Sequence, residues 1–239
     1  MLHYACCVAL LCAMLAAPAG VAVSATPGGS VGVTSDYVVR GISQSNGAAA
    51  LQGELHWTFL PGWSTGFLAS QVQHLPHQTT LELGEYLQWH GALGADLDLG
   101  VAATNYHYPG DPRPISYSYD ELSLSLAWRD QIYLALSWTP KLNLYSLTDG
   151  LARDRQVYTF EASVHRNLRA RLDLTAGIGF YDPAGLDYAA YGYGNLALAW
   201  HYDHWRADLA WIWVQNASHR QYSAGPAGGP LAATLAWSF

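Results

Sequence analysis

Glu121-Leu122-Ser123-Leu124-Ser125-Leu126-Ala127-Trp128 runs into Arg129-Asp130, and Ile132-Tyr133-Leu134-Ala135-Leu136-Ser137-Trp138-Thr139 follows after Gln131. In both runs a large apolar side chain takes every second position, with small or polar residues between. Neighbouring side chains of a β-strand point to opposite faces, so a period of two describes a strand with one oily and one polar face. A helix would place its apolar residues three and four apart. Two such runs joined by a short polar break form a hairpin that keeps its oily side on one face.

The same pattern recurs along the chain. Leu172, Leu174, Ala176, Ile178 and Phe180 alternate with Arg171, Asp173, Thr175, Gly177 and Gly179. About twelve segments of this kind follow Val31: 31–42, 48–59, 64–74, 80–90, 95–108, 117–128, 131–140, 156–166, 170–182, 188–200, 205–215 and 230–239. Each is near the length of a tilted strand crossing a bilayer, and no segment after residue 25 is apolar for long enough to cross as a helix. Short connections (Leu60 to Trp63, His90 to Gly94, Arg129-Asp130, Asn167 to Arg169, His201 to His204) alternate with connections that are mostly longer. This predicts an all-β fold, a transmembrane antiparallel up-and-down β-barrel of about twelve strands, with short turns on the periplasmic side and longer loops outside. An even count leaves both ends on the periplasmic side.

Tryptophan placement separates this reading from a soluble β-sandwich. Trp57, Trp63, Trp89, Trp128, Trp200, Trp205 and Trp237 stand beside the short turns or the last strand end. An indole ring suits the headgroup level, with its body in hydrocarbon and its N–H in water, whereas a sandwich has no reason to gather Trp at one end of each hairpin. The final alternation, Leu231, Ala233, Leu235, Trp237, Phe239, resembles the C-terminal signal by which outer-membrane assembly machinery recognises its clients.

Residues 1–25 contain no Asp, Glu, Lys or Arg and hold the apolar run Val8 to Ala17, ending in Val23-Ser24-Ala25. They read as a cleaved secretory signal peptide, with cleavage after Ala25 and a single barrel domain over 26–239. The three cysteines, Cys6, Cys7 and Cys12, all lie in that leader, which excludes a disulfide framework or thiolate metal site in the rest. The chain has 10 Trp and 16 Tyr but few charges, and its net charge of −7 argues against a nucleic-acid partner, since binding a phosphate backbone needs clustered positive charge.

In a barrel the face opposite the lipid lines the lumen. The polar members of the alternation are Asp36, Arg40, Gln52, Glu54, His56, Glu82, Asp96, Asp98, Glu121, Glu161, His165, Arg171, Asp173, Arg206 and Asp208. Acids outnumber arginines here, which predicts a preference for cations and small neutral solutes if the lumen is wet. Arg40, Glu54, Glu82 and Glu121 are the candidates for setting its field and width. A closed polar interior, in which Arg40 pairs with nearby acids, is the alternative. Glu85 stands apart, because it shares the face of Leu81, Leu83, Leu87 and Trp89, where a bulge at Gly84 or a protein contact would have to account for it.

Two His-x-x-His spacings, His74 with His77 and His201 with His204, supply too few ligands for a zinc site and read as loop histidines. Ser43-Gln44-Ser45-Asn46-Gly47 resembles the His-x-Ser-Asn-Gly stretch of outer-membrane phospholipases, with Ser43 in place of the activating His. Without a base, Ser45 is a poor nucleophile, unless His107 or His219 approaches it in space.

The stretches Ser35-Asp36-Tyr37-Val38-Val39-Arg40-Gly41-Ile42-Ser43-Gln44-Ser45, Ala50-Leu51-Gln52-Gly53 and Tyr106-His107-Tyr108-Pro109-Gly110 resemble the proteobacterial TorF-type porin family. That resemblance implies an outer-membrane location and a pore, and carries over no catalytic residue. The expectation is a non-enzymatic channel for small hydrophilic solutes, needing no cofactor, embedded in outer-membrane lipid. The rivals are a lipid hydrolase using Ser45 and a non-conducting barrel serving structure or adhesion through loops 140–155 and 215–229.

Overall fold

In the computed structural model, which describes residues 26–75, 78–110, 118–145, 152–183, 189–215 and 229–239, the alternating segments form one closed antiparallel sheet. The strands are β1 (Thr26–Thr34), β2 (Val38–Val39), β3 (Ile42–Ser43), β4 (Ala50–Leu60), β5 (Trp63–Leu75), β6 (Gln78–Ala92) and β7 (Leu97–His107). They continue with β8 (Tyr119–Trp128), β9 (Ile132–Tyr145), β10 (Ala152–Arg169), β11 (Leu172–Asp182), β12 (Tyr191–Tyr202), β13 (Trp205–Val214) and β14 (Leu231–Ser238). From β4 to β14 each strand pairs with its sequence neighbours, and β1 closes the ring between β4 and β14. Closure removes the sheet edge, the only way a sheet can satisfy its backbone in hydrocarbon. Phe239 completes the seam, since it exchanges backbone hydrogen bonds of 3.1 and 3.0 Å with Gly29.

The register places the oily faces outside. Leu122, Leu124, Leu134, Leu136, Phe160, Ile178, Leu196 and Leu209 are all exposed, while the residues between them face inward and are largely buried. The turns at 61–62, 93–96, 129–131, 170–171 and 203–204 gather at one end, with Trp57, Trp63, Trp128, Trp200, Trp205 and Trp237 exposed just above them. Arg129 and Asp130 both take positive φ (51° and 53°), the twist a tight hairpin turn demands. A second set of outward aromatics, Trp138, Tyr158, Phe180, Trp211 and Trp213, stands toward the opposite, long-loop end.

One predicted strand is wrong in an instructive way. The segment 31–42 is not continuous: β1 starts earlier, at Thr26, and stops at Thr34. The chain bends at Ser35-Asp36, and 38–43 folds back as the separate hairpin β2–β3 inside the barrel. Arg40 (φ 50°) and Gly41 (φ 79°) form its two-residue turn, a signal that the continuous-strand reading passed over. A side chain at Gly41 would collide with Val214 and Tyr193 of the wall as well as being strained, so only glycine lets the hairpin tip sit this close.

Candidate functional site

The hairpin reaches across the lumen because its apolar side chains find apolar patches on the inner wall. Val38 packs against Ala197, Ala210, Ile212 and Ala232 of β12, β13 and β14. Ile42 packs against Val157, Tyr181, Tyr191 and Tyr193 of β10, β11 and β12. Tyr37 meets Ala50 and Val72 on the opposite side. Polar bonds then fix its position. Arg40 Nη2 lies 2.6 Å from Glu121 Oε2 on β8, and its guanidinium stands 5.9 Å from the Tyr181 ring. The Tyr191 hydroxyl donates to the Arg40 carbonyl at 3.2 Å, and the Gln73 amide to the Gln44 carbonyl at 2.7 Å. Asp36 binds the hydroxyls of Ser43 and Ser45, which holds the return of the segment together.

Around the hairpin the carboxylates are tied by phenols. Tyr37 and Tyr108 each donate to Glu82 at 2.7 Å, Tyr86 to Glu54 at 2.7 Å, and Tyr193 to Glu161 at 2.7 Å. Charge-assisted bonds of this length fix both partners. The rings need room to lie along the wall, and glycine provides it: a Cβ at Gly66 would fall 2.6 Å from the Tyr86 hydroxyl, and one at Gly179 would run into the Tyr193 ring. These tyrosines escaped the charge-based selection of lumen residues. Their phase along the strand, Tyr86 with Glu82 and Tyr193 with Asn195, was the available signal.

The lumen is therefore of two kinds along its length. At the level of the hairpin it is nearly filled, with Glu121 and Tyr191 each 2% exposed. Toward the short-turn end His56, Gln88, Ser123, Ser125 and His165 keep partial exposure, which makes a polar vestibule. At its mouth His201 Nε2 lies 2.8 Å from Asp173 Oδ2, and Arg206 binds Asp208 at 2.7 Å.

Of the residues singled out from sequence, Arg40, Glu54, Glu82 and Glu121 all face the lumen, Arg40 and Glu121 as a pair. Asp96 and Arg171 do not: both are exposed on short turns, Asp96 against Arg129 and Arg171 over the Tyr202 ring, because each lies just beyond a strand end. His201 is a strand residue with its ring in the lumen, while His204 lies exposed in the turn near Asp203, so the two do not converge. His77 and His219 lie outside the described residues, as do 146–151 and 216–228, while the rest of the expected loop 140–155 is strand, in β9 and β10. Ser45 Oγ lies 2.9 Å from Asp36 Oδ1 and 2.7 Å from the Ala48 carbonyl, and it accepts from the Tyr37 amide at 2.9 Å. No histidine is among these partners, and His107 is on the outward face of β7.

A closed antiparallel barrel of twelve strands, oily outside, polar inside and narrowed by an inward segment, is the class these features define. The chain belongs to a bacterial family: residues 17–223 match the model described as a bacterial protein of unknown function (Gcw_chp), so the TorF-type label is not the one this match carries. No curated protein matches the chain. Among solved structures, the NanC porin is similar over 90% of this chain and 99% of its own, with 10% identity and a TM-score of 0.58. The KdgM porin is similar over 90% and 98%, with 7% identity and a TM-score of 0.54, and it has also been solved in complex with disordered oligogalacturonate. At these identities the likeness is one of fold.

Proposed function

We propose that this protein is an outer-membrane porin that gives small hydrophilic solutes a passive path, with preference for cations and neutral molecules over anions. The observation that carries the reading is the polarity of the two faces: a leucine-rich exterior around a lumen where Asp36, Glu54, Glu82, Asp98, Glu121, Glu161, Asp173 and Asp208 stand against Arg40 and Arg206. In a narrow passage with low-dielectric walls, such an excess of one sign raises the local concentration of counter-ions. The segment 35–49 serves as the constriction. KdgM's occupant in one structure is an acidic sugar polymer; the acid excess here disfavours a polyanion of that kind.

Residues 1–25 act as the leader that takes the chain to the periplasm, and Phe239 contributes to recognition by the assembly machinery. The short turns then face the periplasm and the long loops the exterior. Ser45 serves structure, since its oxygen is committed to the turn through Asp36 and the Ala48 carbonyl and no histidine reaches it among the described residues.

Refolded protein in a planar bilayer tests the proposal. Stepwise current with a reversal potential on the cation side in a salt gradient is the expected result. Anion preference would overturn the selectivity, and an electrically silent barrel would overturn the channel itself.

A further inference from the structure

We propose that the outward face of β5–β8 is an interface that a second copy of this chain covers, about a two-fold axis running between β6 and β7. The outward side chains of β6 are Leu81, Leu83, Glu85, Leu87 and Trp89, so an acid is set between leucines. At a rise of about 3.3 Å per residue and a tilt near 40°, Glu85 lies about 10 Å above the Trp89 ring level, inside an apolar band about 25 Å tall. No hydrogen bond or ion pair reaches it among the described residues. The register continues the polar row sideways: Glu85 pairs with Asn105 and Asn105 with Asp120, to which the Asn105 amide donates at 2.8 Å. One N–H of that amide remains to be given.

Beside Glu85 the surface is concave. Gly53 and Ala69 form the floor of a groove walled by Leu55, Phe67 and Leu83. The opposite side of the barrel, from Leu134 and Phe160 to Leu196 and Leu209, is apolar throughout the same band. Polar groups at hydrocarbon depth on one side only mark a surface that lipid does not cover.

The second copy fits through complementarity at equal depth. Copies inserted in the same direction are related by an axis along the membrane normal, so residues that touch share a depth. Glu85 and Asn105 are register partners on adjacent strands, offset in depth by only about 3 Å at that tilt, which the two side chains span, and the proposed axis sets the carboxylate of one copy against the free N–H of the other, twice. It also sets β5 against the second copy's β8, which brings Leu122 to the groove over Ala69.

Three variants of the full chain, purified from outer membranes in mild detergent, test this. The native cysteines all precede residue 26, so Ala103→Cys on the outward face of β7 and Leu198→Cys on β12 report their positions cleanly. Light scattering should give the mass of two copies, and a short bis-maleimide should join Ala103→Cys but not Leu198→Cys. Ala69→Trp fills the groove, and it should raise the dimer dissociation constant by about tenfold or more, the effect of losing one well-packed contact. Its heat-shifted gel mobility and conductance should stay those of the wild type, showing an intact barrel. A single-copy mass in lipid nanodiscs, equal cross-linking at both positions, or a dimer indifferent to Ala69→Trp would each overturn the inference. The first would leave lipid as the cover of Glu85, with the channel reading untouched.

Discussion

Replacing Arg40 by Ala removes the cation that the described residues place at the constriction, and the structure sets the size of the effect. The Arg40 side chain is 12% exposed and that of Glu121 1%, so the pair is a buried one. Taking away one partner of such a pair costs about 3–5 kcal/mol, because the other charge is left without compensation. What still holds the hairpin is the burial of Val38 and Ile42, worth about 1.5–3 kcal/mol each, plus hydrogen bonds of about 1 kcal/mol apiece. The two sides are comparable, so Arg40→Ala should leave the hairpin displaced from the wall for part of the time and enlarge the mean conductance. A unit charge about 4 Å from a passing ion in a water-like medium is worth about 1 kcal/mol, of opposite sign for a cation and an anion, so about 2 kcal/mol or roughly thirtyfold in the cation-to-anion permeability ratio. Loss of the guanidinium should move the reversal potential further toward the cation side, and Arg40→Lys should restore most of it. Single-channel recording in a potassium chloride gradient reads both quantities. Unchanged conductance together with an unchanged reversal potential would refute the placement of Arg40 at the constriction.

Other substitutions probe separate parts of the argument. Ser45→Ala should lower stability by about 1–2 kcal/mol through the loss of its turn bonds, and a lipid-release assay should show wild type and variant equally inactive. Gly179→Val should force Tyr193 off Glu161 and destabilise the barrel by about 1–3 kcal/mol, measured as an earlier loss of the folded gel band on heating. Deleting Phe239 removes two backbone bonds across the seam, so it should slow barrel closure in a refolding time course while leaving the final β-sheet circular dichroism near that of the full chain.

The alternation in 121–139 is a local property, since each residue's face follows from the pleat of its own strand. The strand count, the outward leucines, the tryptophans beside the short turns and the lumenal phase of Glu54, Glu82 and Glu121 could therefore be read from the chain alone, whereas Arg40 reaches the lumen on the turn of the inward hairpin and not by the pleat of a strand. Strand ends were less legible: Asp96 and Arg171 continue the alternation on paper but fall on turns, where the pleat no longer dictates direction.

The fate of 35–49 belongs to the tertiary structure. Val38 and Ile42 share the phase of Asp36 and Arg40, so a continuous strand would point them into the lumen, and an apolar side chain carries no mark that tells a wall strand from a segment packed upon the inner wall. The patch that receives Val38 comes from Ala197, Ala210, Ile212 and Ala232, residues on three strands that become neighbours only when the sheet closes. The same closure brings Arg40 to Glu121 and Tyr37 to Glu82 across the interior. Sequence alone determined that a barrel forms and which face meets lipid; only the closed sheet decided that its first loop lies within it, because the contacts that capture that loop do not exist before closure.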